Sequence, residues 1–241
     1  MNSSVTFATH CHSRDLPRLH APGVLEEMIA GHQYPFSEIL VTHQRTGDLP
    51  FAFNIKDGRI LEINESDYSP LLRQFGMNPN DGRLDEITHG WTWQWYWKHH
   101  CVNHLKETIE CKSDYIVYSD ADCRIQSQPS SWVSKAIELL EDCPNIFIVS
   151  PSDGGYDFMW RLDDGTRLLQ RTSQQLFIAR AKEMKALDFT NLQWDGKFIE
   201  GGPMQEFYGL MEGWLYRHII ANNMYRAILP EQWRYWHHEW H

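Results

Sequence analysis

Residues 115–123 read YIVYSDADC, and this stretch decides how the rest of the sequence is interpreted. Residues 115–118, which are apolar or aromatic, lead almost directly into two aspartates, Asp120 and Asp122, that are one residue apart. A buried strand that ends in two carboxylates needs cations to compensate them, because an unpaired charge is costly away from water. If the chain stays extended here, both side chains face the same way. Two such carboxylates form a hard-oxygen site suited to Mg²⁺ or Mn²⁺.

Strand and helix patterns alternate on both sides of this stretch. The pattern predicts helices near 24–29, over 91–110, after Ser130 or Ser131, and onward from Gly201-Gly202-Pro203. It predicts strands at 5–9, 38–42, 115–119, 146–149 and 175–179, and it is ambiguous over 50–85. Such alternation is typical of a single α/β domain, Rossmann-like, with a mostly parallel sheet flanked by helices. In these sheets ligands bind beyond the carboxyl ends of the strands, where the aspartates lie.

Composition limits the class of function. The chain has 241 residues and a formal net charge of −10 without a basic run, which argues against nucleic acid as a partner. No apolar run approaches the roughly 18 residues of a membrane span. The N-terminus lacks the basic start and apolar stretch of a signal peptide. The five cysteines are scattered, without a CxxC pair, which favours reduced thiols in a cytoplasmic protein.

Several stretches together resemble the GT-A fold of nucleotide-sugar glycosyltransferases, in particular the broad family 2 type. The strand, the Asp-x-Asp pair and the following helix lie about halfway along a domain of the right size. Residues 5–9 followed by 14–16 resemble the first strand and donor-binding turn, and 175–180 resemble the strand after the acceptor loop. Two departures are visible. Gln205-Glu206 stands where the family usually has Glu-Asp, and 42–44 lack the usual aspartate after the second strand.

The resemblance implies a metal-dependent glycosyltransferase that uses Mn²⁺ or Mg²⁺. Its donor is a nucleotide-diphosphate sugar, with a UDP-sugar favoured, and its acceptor is a hydroxyl of a glycan or small molecule. One glycosyltransferase-like domain would cover residues 1–241. Its nucleotide-binding half would take about 1–125 and its acceptor-binding half about 126–241.

The resemblance also implies roles for individual residues. Donor-binding residues would be Thr9, His10, Arg14 and Asp120, with Arg14 pairing a phosphate. In the family the first aspartate of the pair often touches the ribose and the second binds the metal, so the metal site comprises Asp120 and Asp122. For an inverting reaction the general base would be Glu206, with Glu212 and then Glu200 as alternatives, whereas a retaining reaction needs no such base.

A segment after Gly154-Gly155 has features of an acceptor loop. Tyr156, Trp160 and Arg161 follow the glycines, which give the loop mobility, and the aromatic rings offer flat faces on which sugars stack. A purely structural loop is the alternative interpretation.

The last nine residues, 233–241, read WRYWHHEWH. Three tryptophans and one tyrosine are too apolar to leave in water, which predicts that this tail docks on the domain. In many GT-A enzymes a late histidine completes the metal shell, and imidazole suits Mn²⁺. The prediction is that His237 is the third metal ligand, with His238 as the close alternative.

Three other interpretations remain. Haloacid dehalogenase phosphatases also place Asp-x-Asp after an apolar strand, although usually near the chain start. A non-catalytic protein could bind nucleotide sugars on a transferase scaffold. A zinc site could use His100 and His104, four residues apart, with Cys101 between them.

Overall fold

The computed structural model describes residues 3–11, 19, 21–44, 58–78, 93–126, 128–155, 158–173, 175–191 and 211–237. These residues are organised around one nine-stranded sheet and a separate two-stranded ribbon. No helix within these ranges has the length and apolar character needed to cross a membrane.

The large sheet has the strand order β3-β2-β1-β4-β9-β6-β10-β8-β7. Its strands are β1 (Val5–Cys11), β2 (Glu38–Gln44), β3 (Gly58–Ile63), β4 (Tyr115–Asp120), β6 (Ile146–Ser150), β7 (Trp160–Arg161), β8 (Arg167–Leu169), β9 (Leu176–Arg180) and β10 (Tyr225–Ile228). Strands β3, β2, β1 and β4 pair in parallel, as do β6 and β10. Strand β9 is antiparallel to both β4 and β6. The two parallel groups therefore share one direction, and their carboxyl ends lie on the same edge.

Helices cover both faces of this sheet. They are α1 (Val24–Gly31), α2 (Glu65–Gln74), α3 (Trp93–Glu110), α4 (Trp132–Asp142), α5 (Ala181–Lys185) and α6 (Met211–Ala221). The core on one face includes residues of α2, α3, α5 and α6, and the core on the other face includes residues of α1 and α4. The predicted α/β architecture is therefore confirmed.

Strand β4 lies inside the sheet and is buried along its whole length. Its side chains alternate between the two cores, so that Ile116 and Tyr118 pack on the face of α3, whereas Val117 packs on the face of α1 and α4. This explains the continuous apolar run in the sequence, because a strand covered on both faces has no solvent-facing side.

The start of helix α4 matches the prediction in position but not in capping. The helix follows Ser131, as expected, yet the hydroxyl of Ser131 donates to the carbonyl of His32 at 3.0 Å. Instead, the backbone amide of Trp132 donates a hydrogen bond to the side-chain oxygen of Gln128 at 3.1 Å. A residue outside the predicted cap therefore satisfies one of the free amides at this helix start.

The C-terminal tail docks, as predicted, over the part that the structure describes. The short strand β11 (Tyr235–Trp236) pairs antiparallel with β5 (Arg124–Ile125), which directly follows the aspartate pair. On its other side the tail exchanges backbone hydrogen bonds with Ser152, which follows β6. Tyr235 is 3 % exposed, and its hydroxyl donates to Oε1 of Gln175 at 2.9 Å. The tail therefore ties together the chain segments that follow β4 and β6.

Replacing Tyr235 should show how strongly the tail is held. Tyr235→Phe loses one hydrogen bond, which is worth about 0.5–1.5 kcal/mol of the free energy of unfolding. Tyr235→Ala also loses a buried ring and should cost about 3–5 kcal/mol. Urea unfolding measures both. Trp236→Phe is the matched control, because Trp236 is 41 % exposed and should change stability little. If Tyr235→Ala and Trp236→Phe lowered the free energy of unfolding by the same amount, the tail would not be docked through Tyr235.

Candidate metal and donor site

Asp120 and His10 lie side by side at the carboxyl ends of β4 and β1. The two residues are paired in the parallel register of these strands. Their side chains point to the face of α3, as do those of Tyr118 and Ala8 two residues earlier. The result is a contact of 3.1 Å between Nε2 of His10 and Oδ1 of Asp120. Both residues are buried, with 4 % and 8 % of their surface exposed.

The chain does not stay extended after Asp120, which corrects one assumption of the sequence argument. The backbone amide of Cys123 donates to the carbonyl of Asp120 at 3.0 Å and closes a turn. The amide of Asp120 is held by the carbonyl of Gln175 at 2.7 Å. Asp122 therefore lies on a turn rather than on an extension of β4, and strand alternation does not set the direction of its side chain.

His237 is the residue on which the two aspartates converge. Its Nε2 lies 3.2 Å from Oδ1 of Asp122 and 3.6 Å from Oδ2 of Asp120. The pairing of β11 with β5 sets this position, because it fixes the tail directly beside the turn that carries Asp122. The structure thus brings together the three residues that the sequence proposed as metal ligands.

The chemistry of this donor set suits a divalent cation. Ligand atoms of Asp122, Cys123 and His237 lie within 4.8 Å of one another, and no other group of this kind occurs among the described residues. Cys123 is 2 % exposed, and its thiol is within reach of the carbonyl of Gln175 at 3.5 Å. Burial raises the pKa of this thiol, which disfavours the thiolate that metals bind. Asp122 and His237 remain from this group. Asp120 is not a member of it but adds a second carboxylate through Oδ2, which lies 3.6 Å from Nε2 of His237. Carboxylate and imidazole donors fit Mn²⁺ or Mg²⁺.

Both histidines of the site have raised pKa values. Burial lowers the pKa of His10, but the neighbouring carboxylates of Asp120 and Glu107 outweigh burial and raise this pKa to about 10. Burial also lowers the pKa of His237, but Asp120 and Asp122 outweigh it and raise the pKa to about 9. Both imidazoles are therefore protonated near neutral pH. A metal that binds His237 must displace a proton.

Glu107 is a residue of the site that the sequence argument missed. It lies on α3, is 0 % exposed, and places Oε1 3.7 Å from Nδ1 of His10. The helix is buried almost all round from Cys101 to Thr108, so the apolar pattern of its sequence gives no sign that one acid faces the site. The one feature of the sequence that could have indicated Glu107 is its position as an acid next to the buried residues Leu105 and Thr108.

The other predicted donor and base residues have different outcomes. Thr9 is 0 % exposed within β1, on the sheet face opposite His10, so its donor-binding role stays a prediction. Glu212 is in the first turn of α6 and is 9 % exposed, and its backbone carbonyl accepts a hydrogen bond from Thr172 at 2.7 Å. Several residues lie outside the described ranges, namely Arg14, Tyr156, Glu200, Glu206 and His238.

Trp160 and Arg161 form the outermost strand of the sheet, β7. Trp160 is 60 % exposed, and the guanidinium of Arg161 lies 4.7 Å from the ring centre of Phe158. Four strands separate β7 from β4. At the usual spacing between strands, this is a distance of roughly 24 Å. Trp160 could therefore contact only a long acceptor, and its acceptor role stays a prediction.

The zinc interpretation of α3 stays a prediction for His100, whose side chain lies outside the described part of the chain, whereas His104 and Cys101 are described. His104 is 0 % exposed, and its ring centre lies 4.8 Å from that of His10 and 5.2 Å from that of Tyr118. The ring of His104 also stacks parallel to that of Phe177. Cys101 is fully buried, and burial raises the pKa of its thiol. These contacts are typical of ring packing in a core.

Comparison with known proteins identifies the fold. No known protein family and no curated protein matches the sequence. A solved structure does match, the crystal structure of GalNAc-T7 with UDP, GalNAc and Mn²⁺, with a TM-score of 0.51 and 10 % sequence identity. The chain has a GT-A-like fold. The match covers 98 % of this chain but only 43 % of the GalNAc-T7 chain, so this chain spans less than half of the length of the chain it matches.

The raised histidine pKa values predict that the metal-free protein loses stability in alkali. A folded-state pKa above the ordinary value of 6.5 stabilises the fold fully below pH 6.5, and this contribution disappears as the pH rises through about 9 and 10. The free energy of unfolding should fall across this window by at most about 1.4 kcal/mol per pH unit for each histidine. Urea unfolding in EDTA at several pH values measures it.

Three variants test the assignment of this pH dependence. His10→Gln and His237→Gln should each reduce the fall of the unfolding free energy with rising pH. His218→Gln is the matched control, because burial lowers the pKa of His218 and its loss should leave the alkaline slope unchanged. A wild-type profile that is flat from pH 6.5 to 10 would contradict the charged state of the two histidines.

Proposed function

We propose that this protein is a metal-dependent glycosyltransferase that moves a sugar from a nucleotide-diphosphate donor to an acceptor hydroxyl. One observation carries the proposal. Asp120, Asp122 and His237 converge at the carboxyl edge of a GT-A-like sheet, where such folds bind ligands. The matching structure of GalNAc-T7 contains UDP and Mn²⁺, which supports a UDP-sugar as donor and Mn²⁺ as the metal.

Three residues would hold the metal, namely Asp120 through Oδ2, Asp122 through Oδ1 and His237 through Nε2. When bound, the cation supplies positive charge against the negative charge that builds on the leaving diphosphate. The protein's own part is to hold the three ligands together. Asp120 is fixed by the strand register and His10, and His237 is fixed by the docked tail. Such fixed ligands need little rearrangement during the reaction.

The acceptor hydroxyl must lose a proton, and for an inverting reaction Glu206 is proposed as the base that takes it. The proposal rests on the position of Glu206 after Gly-Gly-Pro, which resembles the acidic helix start of the family. Glu212 is a second choice. It lies in the first turn of α6 and is 9 % exposed.

The fold favours this proposal over one of the two other functions. A haloacid dehalogenase-like phosphatase receives no support from the matching structure, which is a GT-A protein. A non-catalytic nucleotide-sugar-binding protein would use the same metal site and is separated only by experiment. It would bind donor and metal normally but would neither transfer nor hydrolyse the sugar.

Asp122→Asn should abolish Mn²⁺-dependent UDP binding while the fold survives. The amide keeps the shape of the side chain but removes the charge that binds the cation, so affinity should fall by more than the roughly 10–100-fold typical of outer contacts. Isothermal titration of UDP with and without Mn²⁺ measures this. His237→Gln should weaken the same binding. Asp163→Asn, in an exposed loop, is the matched control and should bind as wild type. Unchanged affinity in Asp122→Asn would remove the metal site from the proposal.

Glu206→Gln should lower turnover by roughly 10²–10⁴ with little change in donor affinity, because loss of a general base affects only the proton transfer. A radiolabelled UDP-sugar transfer assay measures turnover, and UDP titration measures donor binding. Glu212→Gln and Glu200→Gln are run in parallel. Near wild-type turnover in Glu206→Gln would move the role to whichever of these two loses activity, or to a retaining mechanism if neither does.

A further inference from the structure

The carboxylate of Glu107 has an unusual environment for a structural residue. It is 0 % exposed on α3, and neither of its oxygens makes a hydrogen bond within the described part of the chain. Its cationic neighbour is His10, whose Nδ1 is 3.7 Å from Oε1. A buried ion pair often contributes nothing to stability, because removing both charges from water costs as much as their attraction returns. Stability alone therefore does not explain this acid.

His10 connects Glu107 to the aspartate pair. Each ring nitrogen faces a carboxylate, because Nδ1 approaches Glu107 and Nε2 lies 3.1 Å from Oδ1 of Asp120. The imidazole thus occupies one oxygen of Asp120. The other oxygen, Oδ2, is the one that lies 3.6 Å from Nε2 of His237. The contact with His10 therefore orients Asp120 so that Oδ2 faces the candidate metal position.

The position of Glu107 gives it a part in this contact. Oε1 of Glu107 lies 3.7 Å from Nδ1 of His10, on the side of the ring opposite the 3.1 Å contact with Asp120. The ring therefore lies between two carboxylates, and Glu107 helps to fix the direction in which Nε2 faces Asp120.

We propose that Glu107 and His10 form a buried pair that positions Asp120 for binding of the divalent cation. Both are positioning residues, since neither is placed against the metal or substrate. The inference rests on the proposed function, because it assigns Asp120 to a metal site. In this proposal His10 supports the metal ligand Asp120 and does not bind the donor. Glu107 gains a role that its position in the sequence did not suggest.

The test is the affinity for Mn²⁺ itself, measured from the electron paramagnetic resonance signal of the free ion without nucleotide. Glu107→Gln keeps the shape and removes the charge, and it should raise the Mn²⁺ dissociation constant by about 10–100-fold, as is typical when a supporting contact behind a ligand is lost. Glu107→Asp retains the charge and should recover most of the affinity. Glu110→Gln is the matched control on the same helix, where Glu110 pairs with Arg59 and Lys106.

A double-mutant cycle separates positioning from a general effect on the fold. His10→Gln should weaken Mn²⁺ binding to a similar degree, and adding Glu107→Gln to it should have little further effect, because the two residues act as one unit. If Glu107→Gln fails to fold, His10→Gln and Glu107→Asp decide the question, and an unchanged Mn²⁺ dissociation constant in His10→Gln would overturn the proposal. Additive losses in the double variant would overturn the proposal.

Thermal unfolding without metal supplies the remaining distinction. A lower melting temperature in Glu107→Gln with an unchanged Mn²⁺ dissociation constant means a structural role and overturns the inference. If the wild type binds Mn²⁺ tightly and Glu107→Gln binds equally well, only this inference fails. If the wild type binds no Mn²⁺, the proposed function fails together with it.

Discussion

The carboxylate of Asp120 ends a strand that is buried on both faces, and its burial forces it to find cationic partners. The partners come from distant parts of the chain. His10 comes from the neighbouring strand, and His237 comes from the docked tail. Around this one charge, acids and imidazoles alternate in the order Glu107, His10, Asp120, His237 and Asp122. The sheet edge, helix α3 and the tail are joined through this chain of contacts.

This alternation balances charge along the chain of contacts while leaving an excess of carboxylates. Three carboxylates face two imidazoles, so acidic side chains outnumber basic ones in the cluster. The excess lies toward Asp122 and His237, whose side chains are more exposed than those of His10 and Glu107. A cation that approaches from solvent therefore meets the acidic end first. The inner pair is shielded from water and keeps its geometry.

The tail gives the site a second constraint. Residues 233–236 lie between the segment after β4 and the segment after β6, and they hydrogen-bond to both. Trp233 and Tyr235 are buried in the same core as α4, so the hydrophobic contacts that hold the tail also place His237. The geometry of the candidate metal site consequently depends on the docking of the tail. The exposed strand β7 lies at the far edge of the sheet, whereas Arg167 of β8 donates to the hydroxyl of Ser152, next to the tail.

The sequence by itself determined the elements whose signal is local. The apolar runs at 115–119 and 146–149 became strands, the periodic stretch at 91–110 became most of α3, and the aromatic tail docked, because burial follows directly from hydrophobic pattern. It also singled out Asp120, Asp122 and His237 as a possible group. Short strands such as β7, β8 and β11 were not predicted, since two or three residues carry no period, and the antiparallel direction of β9 has no sequence signature at all.

Only the tertiary structure decided that Asp122 lies on a turn, that His10 contacts Asp120, and that Glu107 completes the cluster. These relations depend on strand register and helix packing between residues up to about a hundred positions apart, and no local pattern encodes such contacts.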